Sequence, residues 1–237
     1  MVDDSREEFV ANVSHELKTP MASMRVLAEA LLSMDDAPVE TYRKFMDDIV
    51  SEIDRENEII NDLLTLVKAD RADAELNIST VNVNELVEHV LKRLNPIAES
   101  KDVELIMESF RPFAAEIDEV KMTLAITNII ENAIKYNRTN GSVRVSVNAD
   151  HKYFYITVTD TGIGIPKEYI DRVFDRFYRV DKARSRETGG TGLGLSITRS
   201  IIIMHKGSIK LYSKENEGTT FTIRVPLNHG QTGGDLL

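Results

Sequence analysis

One histidine in this chain stands where imidazole chemistry is within reach. Val10, Leu17, Met24 and Leu31 lie seven apart, and Val13, Leu27 and Met34 hold a second position of the same repeat. This three–four spacing predicts an amphipathic helix with an apolar seam. His15 falls at the position farthest from that seam, and Asn12, Glu16 and Thr19 lie close to it on the outer surface. A structural histidine more often faces the core. An exposed imidazole beside a carboxylate and a hydroxyl titrates near neutrality and is a competent nucleophile. Glu16 could accept the proton on one ring nitrogen and raise the nucleophilicity of the other. A solvated surface histidine is the alternative. Pro20 removes the usual helix partner of the Glu16 carbonyl, which predicts a bend at that point. A zinc site of the His-Glu-x-x-His kind is excluded, because the fifth position is Thr19.

Two glycine-rich segments point to phosphate. Asp160-Thr161-Gly162-Ile163-Gly164-Ile165 follows a predicted strand, and Gly189-Gly190-Thr191-Gly192-Leu193-Gly194-Leu195 precedes a predicted helix. Closely spaced glycines let backbone N–H groups approach a ligand, and a helix N-terminus favours an anion. A pair of tight turns is the alternative. A charged stretch of about 24 residues separates the two segments. Neither carries the Gly-Lys-Ser or Gly-Lys-Thr of a P-loop, and no His-Arg-Asp loop or Asp-Phe-Gly accompanies them. Between them and the histidine, Asn128 and Asn132 share one face of an otherwise apolar helix. Asparagine is costly there unless satisfied, and its amide oxygen is a hard ligand suited to Mg²⁺. Lys135 and Asn137 follow and could meet phosphate. Polar residues capping a helix end would give the same pattern.

These residues need two kinds of scaffold. From about 5 to 70 the apolar repeat continues through Met46, Ile49, Ile53, Ile60, Leu63 and Val67, after a break at residues 33–38. Pro38 opens the second helix. Two helices of roughly 25 to 30 residues make a hairpin, and one hairpin cannot bury both seams, so a homodimer forming a four-helix bundle is expected. From about 80 to 228 the pattern changes. Val87, Val90, Leu91 and Leu94 read as a helix, Val103–Ile106 as a strand, and Leu124–Ile134 as a buried helix. Ser142–Val147 and Tyr153–Thr159 alternate as strands, Ser196–His205 is a helix, and Ser208–Tyr212 with Thr219–Val225 forms a hairpin. Strands with segregated helices mean an α+β sandwich. The expected fold is therefore multidomain: an all-α hairpin over 1–70, a linker over 71–79, an α+β sandwich over 80–228, and a frayed tail over 229–237.

Bulk properties narrow the function. The 237 residues carry a formal charge of −10, which argues against nucleic acid as a partner. There is no cysteine, so disulfides and thiolate metal sites are excluded. No apolar run approaches the roughly 18 residues of a membrane span. The start lacks the pattern of a signal peptide, and the chain as given is expected to be soluble, without membrane contact.

Taken together, these segments resemble the sensor histidine kinases. Phe9–Pro20 is similar to the family's phosphoacceptor box, Asn128–Asn137 to its asparagine box, and Asp160–Ile165 to its first glycine box. Phe174-Asp175-Arg176-Phe177-Tyr178-Arg179 resembles the phenylalanine box, Gly190–Leu195 the second glycine box, and Gly218–Phe221 the short terminal one. The order matches as well, over roughly residues 5 to 228. The resemblance implies a dimerisation and phosphotransfer hairpin followed by an ATP-binding domain of the Bergerat type, shared with gyrase and the Hsp90 chaperones. It implies His15 as phosphoacceptor, Glu16 as its acid–base partner, and Asn132 as the Mg²⁺ ligand with Asn128 on the same helix face. Asp160 would accept a hydrogen bond from the adenine amino group, with Gly162 and Gly164 shaping the wall beside the base. Lys135 and Tyr136 would line the phosphate and nucleoside side. Gly190, Thr191, Gly192, Leu193 and Gly194 would hold the phosphates. Residues from about 175 to 190 would form a lid, with Arg179, or else Arg184 or Arg186, meeting the γ-phosphate.

The implied activity is ATP-dependent phosphorylation of His15 and transfer to an aspartate in the receiver domain of a response regulator. Thr19 completes a His-Glu-x-x-Thr pattern, which in the family suggests dephosphorylation of that regulator. Asn128 stands where related ATPases carry a water-activating carboxylate, so slow ATP hydrolysis is expected. The resemblance also implies a cytoplasmic fragment of a parent protein at the cell membrane. Two rivals stand beside this reading: a Bergerat-fold ATPase without phosphotransfer, and a dimerisation scaffold with a dead nucleotide site.

Overall fold

The computed structural model describes residues 2–34, 37–69, 75–180 and 190–230. Part of the expected linker, the lid segment 181–189 with Arg184 and Arg186, and the tail beyond Gly230 lie outside the described residues. Helices α1 (Val2–Leu32) and α2 (Val39–Ala69) form the hairpin, each 31 residues long. Pro38 sits just before α2, and its carbonyl accepts from Thr41 N–H at 2.8 Å. Pro20 is buried inside a helix that runs unbroken through it. The seam residues Leu17, Met24, Leu31 and Ile49 are half-buried, and Leu63 packs against the core of the second unit. Val10, Val26, Met46, Val50, Ile53, Ile60, Leu64 and Val67 remain exposed. A single hairpin thus covers one side of its apolar surface and leaves another open.

The second unit is two-layered. It contains β1 (Ile78–Asn82), α3 (Val83–Glu99), β2 (Val103–Ser109), β3 (Ala114–Asp118), α4 (Glu119–Lys135), β4 (Gly141–Ala149) and β5 (Tyr153–Asp160). A 3₁₀ turn (Lys167–Arg172), α5 (Gly194–Met204), β6 (Ser208–Lys214) and β7 (Gly218–Pro226) complete it. Five strands pair in the order β2-β4-β5-β7-β6, with β2 parallel to β4 and the other pairs antiparallel. Alternation decides the faces. Val143, Val145 and Val147 on β4, Phe154, Ile156 and Val158 on β5, and Phe221, Ile223 and Val225 on β7 are all buried. They pack with Leu86, Val87, Val90 and Leu94 of α3, Ile126, Ile129 and Ile130 of α4, and Ile197 and Ile201 of α5. The opposite face is polar. Thr157 pairs with Thr222 and Thr159 with Thr220 in register, their hydroxyls 3.5 and 3.1 Å apart.

A small second sheet was not read from the sequence. β1 and β3 pair antiparallel, so regular structure begins at Ile78, inside the stretch assigned to the linker. Asp118 ends β3 and caps α4, accepting from Lys121 N–H at 3.0 Å and from Asn77 N–H at 3.0 Å. Its own N–H donates to Nε2 of buried His205 at 3.0 Å, while Nδ1 of that ring lies 2.8 Å from the Ile201 carbonyl. The pair of contacts fixes the Nδ1–H tautomer, and burial holds the imidazole below its usual pKa. One cluster therefore ties the end of the linker, the start of α4 and the end of α5.

Candidate active site

The period of two that buries Phe154, Ile156 and Val158 also buries Asp160, the last residue of β5. A carboxylate is thereby placed at the end of an apolar row in the middle of the sheet. Its Oδ1 accepts from the N–H of Gly162 at 2.8 Å and from the N–H of Thr219 at 3.2 Å. Oδ2 has no hydrogen-bond partner among the described residues. Removal from water pushes the carboxyl pKa up to about 6, against the downward pull of the two N–H donors.

Asp160 looks into a cavity of about 700 Å³. One wall is α4, where Asn128, Asn132, Lys135 and Tyr136 follow one another on a single face. The second wall is the loop after β5. Ile163 N–H donates to the Tyr136 carbonyl at 3.1 Å, and Asn216 N–H donates to the Ile163 carbonyl at 2.7 Å. Gly162 lies so close to the Tyr136 carbonyl that a side chain would collide with it. Gly164 has φ +67 and would drive a side chain into the Lys214 carbonyl.

The third wall is the second glycine segment. Gly190 and Gly192 have φ +107 and +72, which glycine alone adopts freely. Gly192 accepts the Phe177 N–H at 3.0 Å. Gly194, the first residue of α5, lacks any such backbone requirement. A Cβ there would meet the Asn128 side chain at an ordinary 3.5 Å. The missing side chain leaves room above the free N–H groups of a helix start, whose N-cap residue, Leu193, has no side chain that can cap them. Asn128 donates its amide N–H to the Gly194 carbonyl at 3.1 Å, which pins α5 to α4.

Two cations face this loop. Lys135 Nζ lies against Gly190 and 5.1 Å from the Tyr136 ring centre. Burial, reinforced by Arg179 and Lys101, brings the ammonium pKa down to about 8, against the pull of Glu58 and Glu131. Arg179 is half-buried, and burial lowers its pKa from the usual guanidinium value, against the pull of Glu16.

His15, Glu16 and Thr19 do not line the cavity. His15 is exposed on α1, and the Thr19 hydroxyl donates to the His15 carbonyl at 3.0 Å. Instead α2 reaches the cavity with Glu58, Asn61 and Asp62, and Asp62 accepts the Thr191 hydroxyl at 2.6 Å. The two units also meet where the rings of Phe9 and Phe177 pack at a tilt of 39°, ring centres 5.9 Å apart. Phe177 holds a φ of 61, a strained value for an aromatic residue.

Two family models match the chain. The model of the His Kinase A phospho-acceptor domain covers residues 5–72. That of the histidine kinase-, DNA gyrase B- and HSP90-like ATPases covers residues 117–229. The chain is 40% identical over 225 residues to the sensor-like histidine kinase SenX3 of Mycolicibacterium smegmatis, covering 95% of the chain and 58% of the relative. It is 41% identical over 233 residues to the sensor histidine kinase WalK of Bacillus subtilis, covering 97% and 38% respectively. The chain belongs to the sensor histidine kinases.

Among solved structures, full-length ShkA in complex with AMPPNP superposes with a TM-score of 0.70 at 26% identity, over 92% of this chain and 45% of that one. The histidine kinase pattern accounts for the elements seen: a helical hairpin, then a sandwich whose ATPase-type pocket lies between α4 and the two glycine segments. No helix among the described residues is long and apolar enough to cross a membrane. Two acidic contributors to the cavity carried no motif in the sequence: Asp62 and Glu58 sit in a helical repeat that reads as ordinary surface charge.

The raised pKa of Asp160 gives a direct stability test. A folded-state pKa above the unfolded value means that the folded chain holds its proton more tightly. The penalty appears as pH rises from about 4 through 6 and is complete above that. At pH 7.5, Asp160→Asn should stabilise the protein against urea by on the order of 2 kcal/mol, because an asparagine oxygen still accepts both N–H bonds. The gain should vanish near pH 4.

Proposed function

We propose that this chain is an ATP-dependent protein-histidine kinase that phosphorylates His15 and passes the phosphoryl group to an aspartate of a response-regulator receiver domain. The observation that carries the reading is the orphaned, desolvated Oδ2 of Asp160 at one end of a cavity whose other end is a glycine-lined helix start beside Lys135. A buried acceptor without a partner calls for a donor from the ligand. The amino group of adenine supplies one, and the guanine oxygen at the equivalent ring position does not. The bound AMPPNP of the ShkA complex supports a triphosphate in the homologous domain.

The phosphates would lie along Gly190–Gly194, with Thr191 and Leu193 in the same loop, at the N-terminus of α5. Lys135 and Arg179 balance their charge. Phosphoryl transfer is mainly positioning and charge neutralisation, so this arrangement supplies most of what the reaction needs. The donor set also suits Mg²⁺. Among the described residues no group of three carboxylates or histidines could cage a metal, yet Asn132 offers an amide oxygen in the cavity. An ion held by Asn132 and by phosphate oxygens matches the preference of Mg²⁺ for few protein ligands, and when bound it would supply further neutralisation.

His15 is the acceptor. Glu16 takes up the proton of one ring nitrogen while the other forms a bond to the γ-phosphorus. The bond from that phosphorus to the ADP oxygen breaks, and ADP leaves. The cavity must first travel from α2 to His15. The uncovered apolar residues of α1 and α2 support a homodimeric four-helix bundle. Asn128 at the position of the water-activating carboxylate in related ATPases supports slow hydrolysis. In the full-length protein, a membrane location and an input signal upstream of α1 complete the proposal.

The test is incubation with γ-labelled ATP and Mg²⁺, comparing the chain with His15→Ala. Label that is acid-labile, base-stable and absent from the variant is expected. Brisk phosphate release without label would favour the ATPase reading instead. Thr19 is assigned to placing a water on the phosphorylated regulator. Thr19→Ala should keep His15 labelling and lose at least about tenfold in phosphatase rate, the usual scale for a lost positioning contact. Full phosphatase activity in the variant would remove Thr19 from that role.

A further inference from the structure

The roof of the nucleotide cavity is a stretch of α2, and it is acidic. Glu58 and Asp62 line the cavity from that side. The Asp62 carboxylate accepts the Thr191 hydroxyl at 2.6 Å, and that hydroxyl in turn accepts the Leu193 N–H at 3.1 Å. Thr191 is buried. It belongs to the loop that delivers the chain to the uncapped start of α5 at Gly194. Lys135, close against Gly190, completes this corner.

The contact is seated by apolar anchors rather than left at the surface. Ile59 and Leu66 of α2 are only 2% and 1% exposed, and Leu66 belongs to the same core cluster as the sandwich. Residues 59, 62 and 66 fall on one face of a helix, so docking the anchors carries Asp62 to the loop. The carboxylate stands on a loop hydroxyl that would receive phosphate, one residue along from Gly190, against which Lys135 lies. Two anions cannot share such a place when both are partly withdrawn from water. Burial already disfavours the charged form of Asp62.

We propose that Asp62 is a built-in competitor of the nucleotide's phosphates: docked α2 occupies the phosphate cradle through Asp62, and an entering polyphosphate expels it and loosens α2 from the sandwich. This rests on the ATP-binding reading above. The two events are then one equilibrium, and each weakens the other by the same factor. Nucleotide loading would release the sandwich at the moment when it holds the phosphoryl group meant for His15. The adenine half of the ligand lies at Asp160, on the other side of the cavity, and has no part in the competition.

The experiment is calorimetric titration of the intact chain and of Asp62→Asn with ADP and, separately, with adenosine, both in Mg²⁺ buffer. Asparagine keeps the shape and removes the charge. ADP should bind the variant roughly tenfold more tightly, the scale of one hydrogen bond to a charged group, while adenosine affinity is unchanged. At about 1 M salt, where the screening length is about 3 Å, the ADP difference should shrink. Asp62→Ser should reproduce the gain. Equal or weaker ADP binding in both variants would overturn the proposal, and so would a gain for adenosine as large as that for ADP, since that would mean only a loosened roof. An unmodified chain that binds neither ligand would overturn the nucleotide reading itself; one that binds ADP, with unchanged variants, overturns only the competition.

Discussion

The buried carboxylate of Asp160 is the interaction on which the rest of the site depends. It lies at the end of the middle strand, between Val143 of β4 and Thr219 of β7 in register. Through Oδ1 it gathers the first glycine loop and the start of β7. Gly218, with φ +115, brings the β7 backbone so close to the Asp160 carbonyl that no side chain would fit. The loop just after β5 and the distant start of β7 thus converge on one oxygen atom, and the second oxygen has no partner among the described residues. A group held this way is costly to the empty protein, and such cost is the mark of a site selected for binding rather than for stability.

Around that point the fold assigns separate tasks to separate elements. α4 is the spine: its apolar face is sunk in the core, and its other face carries Asn128, Asn132 and Lys135 into the cavity. α5 offers its N-terminus, and Asn128 fixes that terminus in place. The hairpin carries His15, the proposed acceptor, on α1 and Asp62, the proposed competitor of phosphate, on α2. In this docked arrangement His15 is exposed and Asp62 sits on the second glycine segment. Arg179 lines the cavity from the segment that precedes residue 181.

Much of this was legible in the sequence, for definite reasons. Long periodic helices, alternating strands and paired glycines are local signals, and they located α1, α2, α4, β4, β5, β6 and β7 within a few residues. Asp160, Asn132, Lys135 and the glycines stood out because their types are unusual where they occur. The short strands β1 and β3 were missed, since five residues each give too little alternation to read. His205 was read only as a helix end, because its partner Asp118 lies 87 residues away. Asp62 was invisible for the same kind of reason: a carboxylate on a charged helix gains meaning only when tertiary docking sets it beside Thr191.

The most direct test of the central claim is the titration of the Asp160 carboxyl by carbon NMR on aspartate-labelled protein, assigned with Asp160→Asn, without and with saturating ADP. The account predicts a pKa near 6 for the free chain, falling clearly on ADP binding as the adenine amino group donates to the ionised oxygen. An ordinary carboxyl pKa in the free protein, or a raised value that ADP leaves in place, would contradict Asp160 as the residue that reads the base.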